Sequence, residues 1–157
     1  MSRPKGKRAA GATPKEREGP VSVSLELSRK MIPLVSKIVA EIHDLYTELT
    51  KLETEQVDLD RRRHGLDWPE RSRRYHVAEE LRKVQHKLGD AVAELEQINV
   101  LIVDPVIGEA AFPTTIHGRQ AYYVWRMGNH EMTWCYANEA ERRSIPASWN
   151  RDAVHSS

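Results

Sequence analysis

Six arginines stand close together in the middle of the chain: Arg61, Arg62, Arg63, Arg71, Arg73 and Arg74, with His64 beside them and Trp68 and Tyr75 interleaved. Guanidinium forks match phosphate oxygens, and an aromatic ring stacks on a nucleobase, so this cluster has the side chains of an RNA- or phosphate-binding tip. Three acids, Asp60, Asp67 and Glu70, reduce its charge to +3 with His64 neutral. The same residues also have a purely structural reading. Arginines at a helix end complement its exposed carbonyls, and Trp68 covers the open end of an apolar seam. That reading is the commoner outcome for such a cluster.

The other reactive side chains form no constellation. The seven histidines include no His-x-x-x-His and no Glu-x-x-His pair. His76 with Glu80, and His86 with Asp90, share a helix face, but two ligands fall short of a zinc site's three or four, so surface pairing is expected and no metal. Cys135 is the single cysteine, which excludes an intrachain disulfide and suits a reducing compartment; it reads as a small buried residue. No phosphate-binding glycine loop, Gly-x-Ser-x-Gly or dinucleotide fingerprint is present, so no cofactor is expected.

Long helices must position the arginines. Met31, Val35, Ile38, Ile42, Leu45, Leu49, Leu52, Gln56 and Leu59 recur at alternating spacings of four and three, one face of a helix with one polar interruption. Val77, Leu81, Val84, Leu88, Ala91, Leu95 and Ile98 repeat the pattern. Between them, Gly65 suits a helix end, and Asp67 with Glu70 three residues on forms a capping box, with Pro69 allowed in the first turn. Two long helices joined by a short turn lie antiparallel. Pairing Leu59 with Val77, Leu52 with Val84, Leu45 with Ala91 and Ile38 with Ile98 puts the fold-back at Trp68, inside the predicted turn.

The apolar stripe is wide at the far end of this hairpin, where Ile32, Leu34, Val39, Tyr46 and Val92 join the seam, and narrow near the turn. The wide end needs a third layer; the narrow end projects as an arm. Pro33 either kinks the first helix or starts its main segment, with Ser24 as an earlier cap. The third layer is a small antiparallel sheet: strands are expected at 100–103, at 109–112 ended by Pro113, at 120–127 and at 131–136, the last two joined at Gly128-Asn129. Tyr123, Trp125, Trp134 and Tyr136 are read as aromatics that cover the helices, in preference to base-stacking groups.

Composition bounds the rest. The chain has 157 residues, 30% charged, with net charge +1. Residues 1–20 carry six basic and two acidic side chains, three glycines, three prolines and no Val, Ile, Leu or aromatic, the profile of a disordered basic tail. One domain at 21–140 follows, then a flexible tail at 141–157. No apolar run approaches the roughly 20 residues of a membrane span. A cytoplasmic location without membrane contact is expected.

The segment LEQINVLIVDPVIGEAAFPTTIHGRQAYYVWR, from Leu95 to Arg126, resembles a prokaryotic family catalogued as domain of unknown function 2203. Matches fall at Val100, Asp104, Gly108, Phe112-Pro113, Gly118-Arg119, Trp125-Arg126 and Gly128, and Ile32-Pro33 is similar to a leucine-proline near the family's start. The likeness extends over about residues 22–143. It implies the same architecture and no activity, since the family is itself uncharacterised. The family pattern differs at three places: it has aspartate at Ala111, glutamate at Asn129 and a Trp-His pair at Cys135-Tyr136.

These readings combine into an α+β protein, a long coiled-coil-like helical hairpin with a small antiparallel sheet packed at its base. The function expected is that of a non-enzymatic interaction or scaffold protein, self-associating as a dimer because a narrow two-helix seam leaves apolar area wet. The alternative is nucleic-acid binding through the arginine tip and the basic tail. An enzyme is the remotest reading; it would need Asp104, Arg119 and Arg126 gathered in one pocket where sheet meets helices.

Overall fold

The structure, a computed structural model, describes residues 22–150. The expected basic tail at 1–20 and the chain end from 151 lie outside the described residues. Helix α1 spans Leu25–Arg61 and α2 spans Trp68–Gln97. The strands are β1 Leu101–Asp104, β2 Glu109–Ile116, β3 Arg119–Arg126, β4 Thr133–Tyr136 and β5 Arg143–Ser144, in that order in one antiparallel sheet. The hairpin and sheet make an α+β fold.

Local chemistry sets the helix ends. The Ser24 hydroxyl accepts from the Leu27 N–H at 3.0 Å and starts α1. Asp67 accepts from the Glu70 N–H at 2.9 Å while Glu70 accepts from the Asp67 N–H at 3.2 Å, so both halves of the capping box form. Gly65 closes a single 3-10 turn, Arg63–Gly65, in ordinary right-handed backbone, so its conformational freedom is not what ends α1. Nor does α1 begin at Pro33; it runs through it unbroken. Leu25 and Ser28, both buried, hold the first turn against the sheet, which offsets the missing N–H.

Two apolar clusters follow from the widening stripe. At the base, Val35, Ile38, Val39, Ile42, Ala91 and Leu95 of the hairpin pack on Ala110, Phe112, Tyr123, Trp125 and Trp134 of the sheet. Toward the turn, Leu52, Leu59, Leu66, Val77, Leu81 and Val84 form a second cluster, and Leu45 touches both. The five seam residues Leu52, Leu59, Val77, Leu81 and Val84 are only 0–6% exposed inside one chain. The expectation that the narrow seam is left wet within one hairpin is therefore not met. Leu66 in the turn joins the same cluster and plugs the end of the narrow stripe.

In the sheet, β2 extends past Pro113 to Ile116 and does not end there as expected. The Pro113 carbonyl accepts from the Val23 N–H at 3.0 Å, on the side away from β3. N–H and C=O of one strand residue point the same way, so the missing N–H removes no bond from the β2–β3 ladder. His117 and Gly118, both with positive φ, make the two-residue β2–β3 turn. Gly108, at φ +70°, has Met127 packed where a Cβ would sit, and its carbonyl accepts from the Met127 N–H at 2.9 Å.

Residues 141–150 are also ordered where a flexible tail is expected. β5 pairs with β4, the backbone is helical at 147–150, and Trp149 lies 5.2 Å from the Trp134 ring. Ile145 and Trp149 anchor this segment to the base. Two apolar residues in a polar stretch leave no periodic trace to read.

Candidate functional site

At the arm's tip the antiparallel register sets arginines against carboxylates of the other helix. Arg73 forks onto Glu55 at 2.7 and 2.8 Å and reaches Glu80 at 3.0 Å. Arg74 meets Asp60 at 2.8 Å, and Arg62 bridges Asp58 and Glu70, both at 2.9 Å. Arg61 also lies on Asp58, at 3.0 Å. The Arg73 hydrogen bonds hold the Glu55 carboxyl below its usual range, and those of Arg62 and Arg61 do the same for Asp58. Four of the six arginines expected to bind phosphate are thus struts and clamps of the arm. Arg63 and Arg71 have no carboxylate partner among the described residues.

The tip aromatics are not structural covers. Trp68 is 71% exposed and Tyr75 82% exposed. Leu66 takes the seam-end position assigned to Trp68. Both rings fall on the face of α2 opposite Val77, Leu81 and Val84, as their helical positions require.

The family-pattern residues hold the base. The Asp104 carboxylate accepts from the Val106 N–H at 2.9 Å and tightens the β1–β2 turn. Phe112 and Trp125 are core, and Pro113 anchors Val23. The Arg119 guanidinium lies 3.7 Å from the Tyr136 ring centre and 3.3 Å from Glu139. Arg126 pairs across the sheet with Glu109 at 3.3 Å, and Arg142 reaches the same carboxylate at 2.9 Å. Glu109, buried and doubly paired, fastens the 137–142 segment to the sheet. The sequence contains no signal for the Arg142 contact, because it joins an irregular segment to a strand two places away.

The structure does not gather the candidate catalytic residues. Register places Asp104, Glu109 and Arg126 side by side at one end of the sheet, with Arg119 seven residues along β3, roughly 23 Å distant. The outer face of the sheet instead carries a basin of about 260 Å³ lined by Glu109, Val124, Arg126, Asn129, Glu131, Thr133 and Arg142. Asn129 lines it, and Ala111 pairs with Val124 beside it. Cys135, on the same face, is buried, and burial pushes its thiol up, away from the reactive thiolate. Ala111, Asn129 and Cys135, one residue from each place where the chain departs from the family pattern, therefore share this face, while Tyr136 faces the base cluster. Cys135 is expected to react with iodoacetamide at least about a hundredfold more slowly in the native protein than in urea, which mass spectrometry of timed aliquots measures. Fast native labelling would contradict this burial.

Of the helix-face pairs, His86 lies 3.4 Å from Asp90, while Glu80 is taken by Arg73. No group of three or more His, Cys, Asp or Glu side chains placed to hold a metal occurs among the described residues. No helix among them is long and apolar enough to cross a membrane. No curated protein and no solved structure matches the chain. A family model described as "Uncharacterized conserved protein (DUF2203)" matches residues 23–145, the stretch that contains the hairpin, the sheet and every family-pattern residue above. The chain belongs to that family.

Proposed function

We propose that this protein is a non-enzymatic interaction protein of the cytoplasm that works as a dimer, and that its self-contact is the β1 edge of the sheet. One observation carries the proposal. Leu101, Val103, Val106 and Ile107, within seven residues, are each 38–59% exposed, the densest run of large exposed apolar side chains among the described residues. Leu101 and Val103 lie on β1, an edge strand of the sheet, and Val106 and Ile107 lie in the turn that follows it. The two edges of the sheet differ. β5 is two residues long, contains Arg143 and is preceded by Glu139, Glu141 and Arg142, the usual guard against edge pairing. Ile98 to Val103 contains no charge.

A second copy fits this edge. Antiparallel pairing about Ile102 opposes Leu101 with Val103 and keeps the two Asp104 side chains at opposite ends, so apolar meets apolar and no like charges face each other. So short a strand supports an association in the micromolar range. Light scattering over 5–200 µM tests it: the parent is expected to shift from monomer to dimer, and Val103→Lys to remain monomeric with an unchanged melting midpoint. A parent that stays monomeric throughout, or a Val103→Lys protein that dimerises equally well, would overturn the proposal.

A further inference from the structure

We propose that the outward face of α2 at the arm's tip is a docking platform for single-stranded nucleic acid, with Trp68 and Tyr75 stacking bases and Arg63 and Arg71 holding phosphates. This surface is separate from the β1 edge, and the inference stands without the dimer.

The argument starts from what the other tip residues are doing. Once Arg61, Arg62, Arg73 and Arg74 are assigned to Asp58, Glu70, Glu55, Glu80 and Asp60, the cations left over are not scattered. Arg71 sits one turn from Trp68 and one turn from Tyr75, between the two rings on the same side of α2. Arg63 lies in the turn just before Trp68. The rings are seven residues apart, about 10 Å along the axis, or three steps of stacked bases at about 3.4 Å each.

Neither ring has a structural task. They are 71% and 82% exposed, and the seam beneath is closed by Leu66. The backbone at Trp68 is nevertheless fixed, since the complete capping box and Pro69 define the first turn of α2. Arg82, two turns beyond Tyr75, extends the cationic face; Glu79, one turn beyond Tyr75, is an acid on it, and Asp60, which lines a groove with Tyr75, is paired with Arg74. Two π faces with cations between them complement a strand that alternates bases with phosphates. A duplex hides its base faces, and an acidic peptide offers no ring to stack, so both fit the platform less well.

Anisotropy of labelled 12-nucleotide U-rich RNA and T-rich DNA, titrated with the full chain at low salt, tests the inference. Trp68→Ala and Tyr75→Ala change no charge and remove no packed side chain, so circular dichroism should be unaltered. Each is expected to weaken binding about fivefold or more, and the pair further. Arg71→Ala is expected to lower the slope of log affinity against log salt by about one. A blunt duplex is expected to bind more weakly than the single strand. No binding at low salt would overturn the proposal. So would binding unaffected by the aromatic pair, which would assign it to the basic residues of 1–20, or equal displacement by polyglutamate, which would identify an acidic protein as the partner.

Discussion

Replacing Phe112 by alanine is expected to destabilise the protein by about 3–5 kcal/mol, the range for deleting a fully buried ring. Phe112 is the only phenylalanine in the chain and has no solvent exposure. It lies in the middle of β2, between β1 and β3, and faces the wide end of the hairpin in the base cluster. No neighbour is flexible enough to fill the space, since Val35, Val39, Ile42 and Leu95 are themselves fully buried and short. Pro113→Ala is the informative companion. The Pro113 nitrogen faces away from β3, so this change is expected to stay within about 1 kcal/mol. Urea unfolding followed by circular dichroism measures both. If Pro113→Ala cost more than Phe112→Ala, the Phe-Pro pair of the family pattern would be a backbone device and not a packing one.

What could be read from sequence divides along the same line as the two clusters. The seam, the cap at Ser24 and the capping box at Asp67 are written in residues three or four apart, and all appear where expected. Alternation placed Tyr123 and Trp125 on the buried face of β3, and Trp134 and Tyr136 on that of β4. Pro113 does not end β2 because a proline ends a strand only where the ladder needs an N–H at that position, and which side that position faces depends on tertiary register. The partners of the arginines are hidden from the sequence for a related reason. Residue types and numbers define a basic cluster, but whether Arg73 meets Glu55 or solvent depends on the axial offset of two helices. The offset that pairs the apolar seam also fixes which polar flanks meet. Arg63 and Arg71 emerge as the available cations only once those flanks are paired. The outer face of the sheet was the least legible part. Glu109, Arg126 and Arg142 come from three segments, and nothing local relates them.

Placing an aspartate at Val77 is expected to unzip the arm while the base stays folded. Val77 is fully buried in the arm cluster, and an ionised carboxylate there has no partner to offset its desolvation, a penalty of several kcal/mol. The penalty falls on a cluster of six side chains joined to the base core only through Leu45. The chain's cheapest response is to separate the helices beyond Leu52 and Val84 and let their ends fray, since the base keeps its own contacts. Far-UV helical signal is then expected to fall by about two-fifths, the share of α1 and α2 that lies on the turn side of those residues. The near-UV signal of Trp125 and Trp134, both buried in the base, is expected to persist and to melt in a separate, higher transition. Loss of both signals in one transition would mean that arm and base fold as a single unit. Full retention of helix would mean that the two strips of apolar residues do not face each other inside one chain. The same variant links structure to the proposed platform. Trp68 and Tyr75 owe their fixed spacing to a helix that Val77 holds in place, so nucleic-acid affinity should fall with the helical signal although every residue of the platform is intact.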